Sequence, residues 1–159
     1  MPFTPFVHKF PDIAVKETRV LTVFDLPGLP ADEYGLLELY CDEPGCDCRR
    51  VFFNIHRPDR RQPDAVIAYG WESAEFYRNW LDGTPADISE LQGPVLNSMS
   101  PQSPLAPALL QQVTLILQDP NYVERLKRHY AMFCATLPEA KSRKGNSRPK
   151  RKRSRKIGR

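Results

Sequence analysis

The chain of 159 residues is short of several things, and each shortage removes a class of protein. No apolar run approaches the roughly 18 residues that a membrane span requires. The start, MPFTPFVHKFP, has neither the basic lead nor the apolar stretch of an export signal. A soluble protein that stays in the compartment where it is made is expected, and the cytoplasm is the reading adopted. Four cysteines are too sparse for a disulfide scaffold. The three histidines are isolated, and the eight glycines never fall as G-x-G. No phosphate-cradling glycine loop ends in Lys-Ser/Thr, and neither G-x-S-x-G nor H-E-x-x-H occurs, so the common nucleotide, hydrolase and zinc-protease signatures are missing. Up to residue 140 lysine occurs only at Lys9, Lys16 and Lys127, none in a predicted strand, which leaves a metal-dependent nuclease with a Glu-x-Lys strand unsupported.

Acid is missing from one end. All 19 acidic residues lie in residues 1–140, beside 12 basic ones, whereas residues 141–159 carry 11 basic residues and no acid. The formal net charge of +4 is therefore −7 for the body and +11 for the tail. A uniformly basic nucleic-acid-binding domain is excluded, and any claim on nucleic acid rests on the tail alone.

With 41% apolar and 26% charged residues, the body reads as an ordinary globular domain. Residues 1–16 set Pro2, Pro5 and Pro11 among Phe3, Phe6, Val7 and Phe10, which predicts an extended arm that packs by its aromatics. Residues 17–138 form one domain. Four β-rich runs, Arg19 to Phe24, Tyr34 to Tyr40, Arg50 to Ile55 and Ala65 to Tyr69, are joined by segments too short for crossover helices, so an antiparallel meander is expected. Helix signals follow. Ser73 caps a helix from Ala74 with Gly83 past its end; Thr84-Pro85 predicts a short helix to Leu91; Ser103-Pro104 and Asp119-Pro120 start two more, the last ending before Pro138. The fold class is α+β, a small antiparallel meander of about four strands followed by three to four helices that cover one face.

The strongest chemical feature is Tyr40-Cys41-Asp42-Glu43-Pro44-Gly45-Cys46-Asp47-Cys48-Arg49. Cys41 ends one strand and Cys48 precedes the next, so antiparallel pairing brings them together, and Pro44-Gly45 turns Cys46 back between them. Three thiolates converging at a hairpin end predict zinc, which takes four ligands in a tetrahedron with sulfur at about 2.3 Å. Inert thiols, or a redox pair of Cys46 and Cys48, are the competing readings. His56 lies beyond a strand rising about 3.3 Å per residue, roughly 20 Å away, and is a poor fourth ligand. Cys134, His129, His8, Asp42 and Asp47 remain open for that position. A thiolate-rich site quenches Lewis acidity, so a structural role is favoured over a catalytic one.

The tail cannot build a core, and residues 139–159 are expected to be disordered. Arg148, Lys150, Arg151, Lys152, Arg153, Arg155 and Lys156 can neutralise phosphates and bind RNA or the ribosome in a salt-sensitive, sequence-blind way. A solubilising extension that folds back on the acidic body and, in a eukaryote, an import signal at Pro149-Lys-Arg-Lys-Arg are the alternatives. No aromatic residue interleaves the charges, so base stacking is not offered.

The last residues, Lys156-Ile157-Gly158-Arg159, resemble the lead-in to the SEC-C zinc-binding motif, a small Cys-rich element appended to many bacterial proteins. In that family Asn-Asp-Pro-Cys-Pro-Cys-Gly follows; here the chain stops first, and no ligand of that motif is carried over. The hairpin from Tyr40 to Arg49 is also similar to a cysteine-bearing hairpin in bacterial proteins associated with SEC-C. The two likenesses cover about 14 residues and imply a bacterial cytoplasmic protein of unassigned activity.

An enzyme reading needs other residues. Glu38, Asn54 and His56, with Arg49, Arg50, Arg57, Arg60 and Arg61, can line a pocket for a small anionic substrate at the sheet end. The competing expectation places Glu38 toward solvent and the arginines as a surface rim paired with Asp59 and Asp64. Trp71, Phe76, Tyr77 and Trp80, at helical spacing beside a sheet, read as core.

Overall fold

Residues 2–140 are described by a computed structural model. The chain enters through a short strand, β1 (Phe3–Pro5), and two short helices, α1 (Phe6–Lys9) and α2 (Pro11–Glu17). This corrects the expectation of an extended arm. Pro5 immediately precedes α1, and Pro11 occupies the first turn of α2. There a fixed φ is already helical and the missing N–H would have had no intrahelical partner. The aromatics do anchor the segment: Phe3 stacks on Phe52 at 4.2 Å and Phe6 on Phe10 at 5.0 Å.

Four strands then follow close to the four β-rich runs, β2 (Arg19–Val23), β3 (Asp32–Cys41), β4 (Arg50–His56) and β5 (Ala65–Gly70). In β3 the residues Tyr34, Leu36, Glu38 and Tyr40 are all buried, and in β4 Val51, Phe53 and Ile55 are, while Gly35, Leu37, Leu39, Phe52 and Asn54 between them are half-buried. This period of two gives the sheet one fully covered face. Strands β3, β4 and β5 form the antiparallel meander; β1 and β2 both pair with β3, at its C-terminal and N-terminal ends respectively.

Helix α3 (Ala74–Trp80) is capped by the Ser73 hydroxyl, which accepts the Phe76 N–H at 3.1 Å. The next helix, α4 (Ile88–Gln92), starts later than Thr84-Pro85 suggested, because the Asp87 carboxylate accepts the Ser89 N–H and sets the cap there. A two-residue strand, β6 (Val95–Leu96), pairs with β5 inside the segment expected to be loop. Helices α5 (Ala106–Ile116) and α6 (Pro120–Ala135) supply Leu109, Val113, Tyr122, Leu126 and Phe133 to the core against the buried face. Asp119 caps α6 as its sequence predicted. Among the described residues, the α+β class holds, with six strands and six helices, and no helix is long and apolar enough to cross a membrane.

Under α6 the core holds a charge cluster. His129 is 1% exposed; its Nδ1 lies 2.7 Å from Glu38 Oε2 and its Nε2 lies 2.6 Å from Glu17 Oε2. A neutral imidazole donates from one nitrogen only, so the geometry is that of an imidazolium between two carboxylates. Tyr40 donates its hydroxyl to Glu38 at 2.8 Å, Arg128 pairs with Glu17 at 2.6 Å, and the Phe6 ring stacks on the imidazole at 4.3 Å. Glu38 is therefore not the solvent-facing residue that its charge suggested. The cluster ties α2, β3 and α6 together.

Burial disfavours the charged imidazole, but the hydrogen bonds and field of Glu38 and Glu17 outweigh it and raise the His129 pKa. Glu17 is held below the ordinary carboxylate value by its bond to His129 and then by Arg128. The signs follow from linkage. The His129 contribution is complete below its unfolded value of 6.5 and is lost as pH rises through the raised folded value. The Glu17 contribution is present above 4.5 and is lost as pH falls through the lowered one. Urea unfolding measured from acid to alkaline pH should show stability falling at both ends, with the alkaline fall flattened in Glu17→Gln. Parallel curves for the two proteins would contradict the clasp.

Candidate metal centre

The connection from β3 to β4 is built as a tight turn followed by an anchored return leg. The Cys46 N–H donates to the Glu43 carbonyl at 3.1 Å across Pro44 and Gly45, and Gly45 has φ +77°. Proline second and a left-handed glycine third are the demands of a type II turn. The turn folds Cys46 back toward the strand ends.

The three sulfur atoms of Cys41, Cys46 and Cys48 lie within 4.8 Å of one another. A tetrahedral zinc with sulfur ligands at about 2.3 Å requires sulfurs about 3.8 Å apart, so closure by no more than about 1 Å completes that geometry. Cys41 and Cys48 are buried and Cys46 is half-buried. The backbone at Glu43 acts on the Cys41 sulfur, and that at Arg50 on the Cys48 sulfur, in the direction that favours thiolate. Burial dominates and pushes both thiols up, Cys48 further because it is the more deeply buried, and the charge of neighbouring sulfurs adds to the effect at both. A divalent cation reverses this balance by pairing with the thiolates.

Arg49 secures the return leg. It has φ +47°, in the left-handed region uncommon for a side-chain-bearing residue. Its guanidinium binds Asp47 with two bonds of 2.9 Å, reaches Glu72 at 3.2 Å and lies over the Phe76 ring at 4.5 Å. The Tyr77 hydroxyl donates to the Arg49 carbonyl at 2.9 Å, and the Arg49 N–H donates to the Tyr130 hydroxyl at 3.3 Å. The hairpin is thus fastened to α3 and α6 by contacts independent of any ion. These roles of Arg49, Tyr77 and Tyr130 were not apparent from the sequence; the only trace is the helical spacing of Tyr130 and Cys134, which puts both on one face of α6.

The fourth-ligand candidates fare differently. His129 has both nitrogens engaged in the core. Asp42 accepts the Thr4 hydroxyl at 2.7 Å, and Asp47 is held by Arg49. His8 is exposed on α1. Cys134, half-buried on α6 one turn after Tyr130, is near enough to feel the charge of Cys41, but it does not join the three-sulfur group. His56 ends β4, the strand that Arg50 begins next to Cys48, as its place in the sequence implied.

The Arg/His cluster required by the enzyme reading is not assembled. Arg50 is buried and donates to the Leu91 and Glu90 carbonyls of α4, at 2.9 and 3.0 Å. Arg49 belongs to the hairpin. Arg57 pairs with Asp64 at 2.8 Å, and only His56, Arg57 and Arg60 border a common open depression, at the other end of β4. Glu38 faces the core. Of the aromatic group, Tyr77 alone is fully buried; Trp71, Phe76 and Trp80 are half-buried. The tail residues Arg148, Lys150, Arg151, Lys152, Arg153, Arg155 and Lys156 lie outside the described residues. The described chain ends at Ala140, close to Gly45 of the cysteine hairpin. Compared with known protein families, curated proteins and solved structures, the chain matches none.

Proposed function

We propose that the chain is a small zinc-binding protein, a binding or adaptor module in which Cys41, Cys46 and Cys48 hold one zinc ion at the end of the β3–β4 hairpin. The observation that carries this is the approach of the three sulfurs to within 4.8 Å. Thiolate donors suit zinc and other soft metals rather than magnesium or calcium. The metal ties the turn to both strand ends and adds to the anchoring by Arg49. Cysteines that are all unpaired suit a reducing compartment, and a bacterial cytoplasm is the setting adopted. Titration of the reduced, chelator-stripped full chain with zinc, against a chromophoric competitor, should break at one metal per chain. Absence of uptake would sink the reading.

The tail gives the module its second contact. Its 11 basic residues, with no acid among them, supply diffuse affinity for RNA or the ribosome through release of counterions. If seven cations each meet one phosphate, the dependence of log affinity on log salt has a slope of about −5 for single strands. A chain ending at Ala140 should bind RNA at least about tenfold more weakly at low salt and with a much shallower slope. Equal affinity and equal slope would remove the nucleic-acid role.

A further inference from the structure

Arg50 holds a charge that no carboxylate balances. The residue is 7% exposed, and none of the ion pairs among the described residues includes it. Met1 and residues 141–159 contain no Asp or Glu. Its partners are two peptide carbonyls of α4, Leu91 at 2.9 Å from Nε and Glu90 at 3.0 Å from Nη2. These bonds fasten β4 to α4, which a neutral donor would do as well, whereas a buried positive charge is costly without a counter-ion. A guanidinium carries five N–H donors. The carbonyls occupy the Nε–Nη2 edge, and the Nη1–Nη2 edge, which can grip a carboxylate with two parallel bonds, makes none among the described residues.

The period of two puts Arg50 and Phe52 on the face of β4 opposite Val51 and Phe53. There both residues border a pocket of about 200 Å³ that is also lined by Ala68, Leu91, Leu96 and Met99, and a neighbouring hollow of about 330 Å³ shares Arg50, Phe52 and Met99. The Phe52 ring lies 5.3 Å from the guanidinium and is stacked on Phe3. We propose that this pocket binds a small monocarboxylate with a short apolar body, the carboxylate on Nη1 and Nη2 of Arg50 and the body against Phe52 and Met99. Charge decides the class of ligand. Arg50 is the only cationic residue among the described ones that border the pocket, so it matches a single negative charge, and Glu90, which borders the same pocket, repels a dianion such as phosphate more strongly. The apolar walls match the body. The proposal is independent of the zinc reading.

The test titrates the isotope-labelled full chain with benzoate and follows its two-dimensional NMR spectra. Benzoate should shift the Arg50 Nε–H signal and the backbone amides of Phe52, Ala68, Leu96 and Met99 in a saturable manner. Benzamide, which keeps the shape without the charge, should bind at least about tenfold more weakly, and phosphate should leave these signals in place. Arg50→Gln, which keeps a donor for the Leu91 carbonyl, should abolish the shifts. Because loss of a buried arginine can disturb α4, Met99→Asp is the second variant: Met99 is 90% exposed, so the fold is kept, and the added charge at the pocket should weaken benzoate about fivefold. Signals that do not move, or that drift without saturating, would overturn the proposal. Benzamide binding as tightly as benzoate would show that Arg50 is not the anchor, and so would unchanged affinity in Met99→Asp or in a folded Arg50→Gln. Phosphate binding more tightly than benzoate would overturn the assignment to a carboxylate.

Discussion

Replacing Cys41, Cys46 and Cys48 together by serine should abolish zinc binding and lower the melting temperature by roughly 10–15 °C. A ligand that binds only the folded state stabilises it by about 2.7 kcal/mol at 100 times its Kd, and by about 4.1 kcal/mol at 1,000 times. The sulfur group qualifies as such a ligand site to the extent that the fold, which brings its members within 4.8 Å, presents them better than the unfolded chain does. The variant carries its own control. Wild-type protein in excess chelator should melt close to the variant, since Arg49, Tyr77 and Tyr130 hold the hairpin in both. A variant that melts with the zinc-loaded wild type would show that metal contributes nothing to the fold.

His129→Leu should destabilise the protein by about 3–5 kcal/mol, measured by urea unfolding near neutral pH. Leucine fills much of the space but leaves Glu38, 7% exposed, without its cationic partner, and Glu17 keeps Arg128 but loses one of the bonds that draw α2 onto α6. Glu38 Oε1 already lacks a protein partner, so the carboxylate has little to fall back on besides Tyr40. The double variant Glu38→Leu/His129→Leu should recover part of the loss, because removing both charges ends the desolvation cost that removing one exposes. A double variant less stable than His129→Leu would contradict the role of the uncompensated carboxylate.

The legible parts of the fold were those governed by local pattern. Strands β2 to β5 were found within a few residues because the period of two in Tyr34, Leu36 and Tyr40, or in Val51, Phe53 and Ile55, is set by burial on one face. Asp119-Pro120 marked α6 because capping chemistry is local too. The N-terminal segment was misread because proline disfavours helix interiors and favours helix starts, and only the contacts of Phe3 and Phe6 decide between them. Glu38 is the instructive miss: the same alternation that buried Tyr40 pointed Glu38 inward, but its partner His129 lies 91 positions away, beyond any local signal. Arg50 was read as surface charge for a similar reason, since the carbonyls that receive it belong to α4.

At the candidate metal centre, spacing and turn chemistry sufficed to bring Cys41, Cys46 and Cys48 together. The anchoring by Arg49 was hidden because it depends on Glu72, Phe76, Tyr77 and Tyr130, which only the packing of α3 and α6 brings near.

The most direct test of the account is the zinc content of the reduced full chain, purified without added metal or chelator. One zinc per chain, absent from the triple serine variant, is the predicted result. Protein that carries no zinc, accepts none when it is supplied and melts at the same temperature with and without chelator would contradict it.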